Sequence, residues 1–146
     1  MQVDFYHLSS TPLERALPRI AERILAGGER LLVVASDADA RARLDQLLWS
    51  YAPDSFLPHG LAGSEDDARQ PVLIGETAEA ANGARHIALA DGVWRDEALA
   101  FTRVFHFFTE ERIREARLAW KNLAGKDGVE RRYWKQDEAG RWAQAA

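Results

Sequence analysis

The sequence predicts an α/β fold, in which helices flank a mostly parallel sheet. Two observations lead to this prediction: a continuous apolar run at residues 30–35, and the segments of helical periodicity on either side of it. An apolar run without alternation is typical of a strand that is buried on both faces. The order strand, helix, strand, helix, with short links, favours parallel βαβ units. We therefore expect a three-layer, Rossmann-like arrangement.

The N-terminal part supplies the first strand and helix. Residues 3–8 form a short apolar run with aromatics and predict a strand. Residues 11–14 (Thr-Pro-Leu-Glu) have the composition of a capping box with proline at the first helical position. A helical stripe of apolar residues follows and ends at Gly27-Gly28. Pro18 inside this stripe predicts a kink or a later start of the helix.

Later elements are predicted in the same way. Ser36 and Asp39 are expected to cap the second helix. Apolar runs at residues 71–75 and 86–90 predict two further strands, and residues 101–108 predict a last strand.

The C-terminal part is predicted to add one more helix and a polar end. Thr109 and the two acids after it indicate the start of a helix that extends to about Ala124. The length fits one domain. We therefore expect residues 1–146 to form a single α/β domain, with residues 126–146 a C-terminal edge segment or tail.

Composition limits the class of protein. The chain has no cysteine, which excludes disulfides, a thiolate nucleophile and cysteine-ligated zinc. No apolar run approaches the roughly 18 residues of a membrane span, and the N-terminus lacks the pattern of a signal peptide. We therefore expect a cytoplasmic protein that does not bind membranes.

Charge is distributed unevenly along the chain. The net charge is −4, but residues 112–146 carry 9 basic and 5 acidic residues, so this end is +4 on a body of −8. An acidic body argues against wrapping nucleic acid, which needs a broad cationic surface. A small basic end suits a small acidic ligand, such as a peptide tail.

A Rossmann-like layout raises the possibility of a nucleotide-binding enzyme, but the expected motifs are absent from the sequence. The loop after the first strand (residues 9–12) has no glycine, and no phosphate-binding Gly-Lys motif occurs. The four histidines show no metal-ligand spacing. His59, oriented by Asp54, is a possible base, although a structural histidine bonded to a loop carbonyl is favoured. We predict no catalytic site, no metal and no cofactor.

Two segments suggest protein-binding surfaces instead. Trp49 lies off the buried stripe of its helix, and Phe56 follows between two prolines, so both aromatics are predicted near the surface. The alternative is that both pack into a small core. In the last helix, Arg117 lies one turn before Trp120 and Lys121, so the three side chains can border one hollow. That set suits the carboxylate end of a peptide with an apolar last residue. The alternative is a surface arginine that covers the helix with its methylene groups.

Residues 131–135 (Arg-Arg-Tyr-Trp-Lys) interleave cations with aromatics, a pattern that also occurs in binders of single-stranded nucleic acid. Packing at the sheet edge is favoured, because Glu130, Asp137 and Glu138 flank the segment.

The whole chain also resembles a known family, the chi subunit of the bacterial DNA polymerase III clamp-loader assembly. The resemblance rests on an ordered set of short matches: Phe5-Tyr6-His7-Leu8, Leu44-Asp45, Leu48-Trp49, the segment 55–63 (Ser-Phe-Leu-Pro-His-Gly-Leu-Ala-Gly), Phe101-Thr102-Arg103-Val104, Ala116-Arg117, Trp120-Lys121 and Tyr133-Trp134. It implies a mononucleotide-binding-like fold without nucleotide chemistry and without a catalytic role. It further implies an adaptor that joins the clamp loader, through the small psi subunit, to the acidic tail of single-stranded-DNA-binding protein. DNA would then be contacted only indirectly, by a monomer within a hetero-complex.

The resemblance also assigns residues to each partner. The surface for the tail would comprise Phe108, Arg117, Trp120 and Lys121, to which we add Ile113 from the same helix. The surface for psi, or for an equivalent protein such as a helicase, would comprise Trp49 and Phe56. A nucleotide-binding enzyme and a direct binder of single-stranded nucleic acid remain the alternatives.

Overall fold

The computed structural model describes residues 1–51 and 57–146. Within them, one eight-stranded sheet has the spatial order β3-β4-β2-β5-β6-β1-β7-β8. The strands are β1 (Gln2–His7), β2 (Leu31–Val34), β3 (His59–Leu61), β4 (Val72–Gly75), β5 (His86–Leu89), β6 (Arg103–Phe108), β7 (Glu130–Gln136) and β8 (Trp142–Gln144). The helices are α1 (Leu13–Ala26), α2 (Ala38–Ser50) and α3 (Ile113–Asn122), with short 3₁₀ segments at Asp67–Arg69, Asp96–Ala100 and Glu110–Arg112.

The sheet is parallel except at one edge, where β8 pairs antiparallel with β7. Successive residues of the central strands alternate between two apolar cores. Leu31 and Val33 pack in the core that α1 and α2 cover, whereas Leu32 and Val34 pack in the core that α3 covers. The predicted α/β class, a mostly parallel sheet between helical layers, is therefore confirmed. None of the helices within the described ranges is long and apolar enough to cross a membrane.

Helix α1 runs without interruption through Pro18, so the predicted later start is wrong. The buried stripe that includes Leu17, Ile20 and Ile24 packs on the sheet. This packing offsets the roughly 3 kcal/mol that an internal proline costs a helix. The predicted capping box is also wrong, because Pro12 is the N-cap residue and no side-chain cap bond forms.

Helix α2 is capped by a residue that the sequence analysis did not choose. Asp37, rather than Ser36 or Asp39, is the N-cap residue, and its side chain accepts a hydrogen bond from the backbone N–H of Ala40. The hydroxyl of Ser36 is used elsewhere, since its oxygen accepts a hydrogen bond from the guanidinium of Arg95.

The C-terminal part extends the sheet. Strand β6 was predicted to be the last strand, but β7 pairs in parallel with β1, and β8 then pairs with β7. Residues 126–146, for which an edge segment or a tail was predicted, therefore contain two strands, with β8 at the edge. This arrangement brings β7 next to the core that lies under α3, where Tyr133 is buried.

Candidate functional site

Helix α3 presents a basic outer face above an apolar inner one. Its buried positions, Ala116 and Ala119, continue to Leu123 beyond the helix and pack against the sheet. The exposed positions include Arg114, Arg117, Leu118 and Lys121. Because Arg117 and Lys121 are four residues apart, they are neighbours on the helix surface.

Trp120 lies at the border between these two faces. Its ring meets Phe5 and Tyr133 edge-on, with ring centroids 5.4 and 5.6 Å apart. Arg131, on β7, places its guanidinium carbon 3.9 Å from the centroid of the indole ring and donates a hydrogen bond of 2.7 Å to the backbone carbonyl of Trp120. The indole is thus held in one orientation, with a cation over one face.

The guanidinium of Arg117 has no hydrogen-bond or salt-bridge partner among the residues that the structure describes. Burial raises the pKa of Tyr133 above its usual value, and Arg117 opposes this increase. Because this exposed guanidinium has no carboxylate partner in the described ranges, its N–H groups can bind an external anion.

Strand β7 adds two further cations to this face. Arg131, Tyr133 and Lys135 alternate along the strand, so they point to the side of the sheet that α3 covers. The ammonium of Lys135 lies 5.8 Å from the centroid of the Tyr133 ring. We call the combined region the α3–β7 surface and define it by Arg117, Trp120, Lys121, Arg131, Tyr133 and Lys135.

The charge balance of the α3–β7 surface favours an anionic ligand. Other nearby arginines are neutralised locally: Arg112 pairs with Glu115, and Arg132 pairs with Glu130. The four cations of the α3–β7 surface have no such pair with any residue in the described ranges. Like charges held close together destabilise each other, and a bound anion removes that cost.

Ile113 and Phe108, which were predicted to belong to the same surface, lie deeper. Ile113 is partly buried against the core beneath α3. Phe108 is 1% exposed, and its ring stacks on that of His7 with centroids 5.2 Å apart. A ligand on the surface therefore does not reach Phe108, which can only support α3 from below.

Trp49 occupies a separate position on α2. As predicted, it lies off the buried stripe and is 53% exposed. Its ring packs edge-on against His59, with centroids 4.9 Å apart. His59 lies 2.7 Å from the carbonyl oxygen of Leu57 through Nδ1 and 3.1 Å from a carboxylate oxygen of Asp45 through Nε2. The expected bond of His59 to a loop carbonyl is thus present, and the imidazole packs beneath the indole of Trp49.

Phe56 and Asp54 lie outside the described residues, which omit residues 52–56.

Comparison with known proteins places this chain in a family. The family model described as DNA polymerase III chi subunit, HolC, matches residues 1–130. The chain belongs to this family.

Curated relatives agree with the family model. DNA polymerase III subunit chi of Escherichia coli (strain K12) is 31% identical over 121 residues, which cover 76% of this chain and 82% of that protein. DNA polymerase III subunit chi of Pseudomonas aeruginosa is 36% identical over 77 residues, which cover 51% of this chain and 53% of that protein. Among solved structures, the C-terminal domain of a Sulfolobus solfataricus SWI2/SNF2 ATPase matches 79% of this chain and 58% of its own. Its 14% identity and TM-score of 0.49 are too low to bear on function.

In this chi-family chain, two positions where Rossmann-like folds hold ligands are filled by its own side chains. The first is the N-terminus of α1, where nucleotide phosphates bind in such folds. Here the side-chain oxygen of Gln136 accepts hydrogen bonds from the backbone N–H groups of Ser10 and Thr11, each with an N···O distance of 2.9 Å. Its amide nitrogen donates to the hydroxyl of Thr11 at 2.6 Å.

The second position is the crevice at the carboxyl ends of β2 and β5, where the chain connections diverge to opposite sides of the sheet. Asp91 fills it by accepting the backbone N–H of Ser36 and two bonds from the guanidinium of Arg95. Burial raises the pKa of Asp91, but these bonds outweigh burial and lower it to about 2. In residues 1–51 and 57–146, no group of three or more potential ligands is placed to hold a metal ion.

The sequence analysis missed the contribution of β7 to the α3–β7 surface. Arg131 and Lys135 were assigned only to packing or to nucleic-acid stacking. The chi-family match ends at residue 130, so it does not cover them either. Their alternation around Tyr133 was visible in the sequence, but the parallel pairing of β7 with β1 that brings them beside α3 was not.

Proposed function

We propose that this protein is a non-catalytic accessory subunit of the DNA polymerase III holoenzyme that acts as an adaptor. In this proposal, the α3–β7 surface binds the acidic C-terminal tail of single-stranded-DNA-binding protein. Trp49 and Phe56 bind the psi subunit of the clamp loader or an equivalent protein. Membership of the chi family supports a role in the polymerase complex.

The tail-binding part rests on one observation: the guanidinium of Arg117, one turn before Trp120, has no partner among the described residues. A guanidinium holds a carboxylate through two parallel hydrogen bonds. In the proposed complex, Arg117 binds the terminal carboxylate of the tail. The last apolar side chain then packs against Trp120 and the exposed part of Ile113.

The remaining cations have an electrostatic role in this proposal. Lys121, Arg131 and Lys135 surround the carboxylate position and attract the acidic residues that precede the end of the tail. Such attraction is long-ranged at low ionic strength and is screened by salt. The affinity for the tail is therefore expected to fall as salt increases, even though the Arg117 pair itself is local.

A nucleotide-binding enzyme, the second interpretation, is disfavoured by the side chains that fill its usual positions. Gln136 occupies the N-terminus of α1, and Asp91 occupies the crevice between β2 and β5. A phosphate at either place would have to displace an existing hydrogen-bond acceptor.

Calorimetric titration with a peptide of the acidic tail tests the proposal. We expect Arg117→Ala to weaken binding by about 2 kcal/mol, the range for truncation of a charge-assisted hydrogen bond. Arg117→Lys keeps the positive charge but loses the two parallel N–H donors of the guanidinium, so it should recover only part of the lost binding energy. Arg43→Ala removes the same charge from an exposed position on α2, away from the α3–β7 surface, and serves as the matched control with a small effect that salt abolishes.

Amidation of the peptide's terminal carboxylate identifies its partner. If Arg117 holds that carboxylate, amidation and Arg117→Ala together cost less than the sum of their separate effects. Fully additive losses would show that the carboxylate is bound elsewhere, and the assignment of Arg117 would then be wrong.

A further inference from the structure

A cleft of about 560 Å³ lies on the other side of the sheet from α3, between α1 and the β7–β8 end. We call it the α1 cleft. Its volume is within the range of roughly 300–1,000 Å³ that is typical of ligand sites. Neither the family match nor the proposed adaptor function assigns a role to this face.

One wall of the α1 cleft is a row of arginines. Arg15, Arg19 and Arg23 line it from α1, and each step of four residues moves about 6 Å along the helix axis. All three are exposed, and their guanidinium groups have no hydrogen-bond or salt-bridge partner in the described part of the chain. The residues that line the cleft, all of them described, include no acid.

The arginines on the opposite wall differ, because they are already paired. Arg103 pairs with the buried Asp4, and Arg141 pairs with Asp137. Among the arginines that line the α1 cleft, those without an acidic partner in the described ranges therefore lie on α1. It amounts to three cations spread over two helical turns, which suits a ligand with several anionic groups in a row.

The floor of the α1 cleft is aromatic. Tyr6 and Trp134 occupy paired positions on β1 and β7, and their rings lie side by side, 6.2 Å apart and within 10° of parallel. The indole of Trp134 donates a hydrogen bond of 3.0 Å to Asp4, which fixes its plane. Trp142 meets Tyr6 edge-on at 5.3 Å. All three rings line the α1 cleft and are only partly buried, so aromatic surface lies beside the row of arginines.

A second, smaller cavity of about 200 Å³ continues the α1 cleft towards the C-terminal end of α1. The two cavities share Tyr6, Ile20, Arg23 and Arg103 as lining residues. Glu29, paired with Arg85, lines the far end. The path along α1 is thus elongated, with cations in the middle and an acid at one end.

We propose that the α1 cleft binds a short segment of single-stranded nucleic acid. Arginine pairs with phosphate groups through two hydrogen bonds, and aromatic rings stack on bases of any sequence. An acidic peptide would use the arginines but leave the aromatic floor without a role. A duplex needs a broad cationic surface, which a protein of net charge −4 does not offer. Direct contact with DNA departs from the expectation that DNA is reached only through partners.

The test is fluorescence anisotropy of a labelled oligothymidylate of about 12 nucleotides, a length within the site sizes of single-strand-binding folds. We expect binding at low salt that weakens as salt is added. Arg19→Ala should weaken it roughly tenfold and lower the salt slope by about one unit, as for the loss of one phosphate contact. Arg43→Ala, which removes the same charge from an exposed position on α2, is the matched control and should have little effect.

A second variant tests the aromatic floor. Trp142→Ala should weaken binding at least about fivefold, the lower end for the loss of one stacked base, and Trp142→Phe should recover most of it. Because Arg19 is exposed, the Arg19 variant is expected to fold normally, and the proposal does not depend on Trp142 alone.

Three results would overturn the proposal. The first is no binding of the oligothymidylate at low salt. The second is binding that Arg117→Ala reduces and Arg19→Ala does not, since this would place the strand on the α3–β7 surface. The third is an oligoglutamate peptide that binds with equal affinity and the same dependence on Arg19 and Trp142, since the α1 cleft would then be a peptide site. Whether Arg117 binds the tail is decided separately, by titration of the Arg117 variants with the tail peptide.

Discussion

Acidification is expected to destabilise this protein through His106. The side chain is fully buried on β6, and neither ring nitrogen has a hydrogen-bond partner among the described residues. Burial, opposed in part by Asp91, lowers its pKa to about 4, whereas an unfolded chain has a histidine pKa of about 6.5. The unfolded state therefore takes up a proton at a higher pH than the folded state. The contribution of His106 is fully present above pH 6.5 and is lost as the pH falls towards 4.

These two pKa values set the size of the effect. Linkage gives a loss of about 1 kcal/mol at pH 5.5 and about 2–3 kcal/mol at pH 4.5, relative to neutral pH. Other groups titrate in the same range, so the parent protein alone does not isolate His106. His106→Leu keeps a similar volume and removes the titrating group. The difference in free energy of unfolding between this variant and the parent therefore isolates the effect of His106.

Urea unfolding of both proteins at about pH 7.5, 5.5 and 4.5 measures this difference. At neutral pH we expect the variant to be at least as stable as the parent. It loses edge contacts to Phe5 and Trp94 but also removes two buried, unbonded nitrogens. As the pH falls, the free energy of unfolding of the variant should increase relative to that of the parent by the amounts given above. A difference that stays constant across this range would refute the reasoning, because His106 would then not be a neutral, buried imidazole in the folded state.

Two further predictions concern Gln136 and Trp49. Gln136→Ala removes the acceptor of the Ser10 and Thr11 N–H groups and should lower the free energy of unfolding, measured in urea, by about 1–2 kcal/mol. The control Gln144→Ala, on β8, should change it little. Equal effects of the two substitutions would show that the Gln136 bonds contribute nothing. Trp49→Ala should weaken binding of the psi subunit by about 2 kcal/mol or more in calorimetry, with a smaller change in unfolding free energy because the ring is 53% exposed. The reverse result, lost stability with unchanged binding, would make Trp49 a packing residue.

Much of the fold could be predicted because its central strands carry local signals. β2, β4 and β5 are short apolar runs buried on both faces, and the predicted ranges contain the observed strands. β3 has three residues at the sheet edge, and its sequence, His-Gly-Leu, gives no periodicity to recognise. β7 reads Glu-Arg-Arg-Tyr-Trp-Lys-Gln, a charged sequence that fits either an edge segment or a tail. It becomes a strand because β1, more than 120 residues away in sequence, offers it an unpaired edge.

The candidate surfaces also combine features that local sequence predicts with features that arise only from long-range pairing. Arg117, Trp120 and Lys121 share a face through helical spacing alone, so their proximity could be predicted. Arg131 lies over Trp120 only because β7 pairs with β1, and no local pattern encodes that long-range pairing. The arginine row of α1 repeats every four residues and was visible in the sequence. The aromatic floor opposite it was not, since Tyr6, Trp134 and Trp142 meet only in the folded sheet.

The position of the two proposed protein-binding surfaces on the sheet suits an adaptor. Trp49 packs on His59 of β3, at one edge, whereas the α3–β7 surface includes β7, near the other edge. β3 and β7 are separated by five intervening strands, a distance of about 29 Å at the usual spacing between strands. Two partners bound there do not compete for the same residues. The strands between them are buried and closely packed, so they hold the two surfaces at a fixed separation rather than on a flexible link. The sheet is Rossmann-like, but the protein's own side chains fill two of the usual ligand positions. The sheet can thus act as a rigid spacer between the two proposed binding surfaces near its edges.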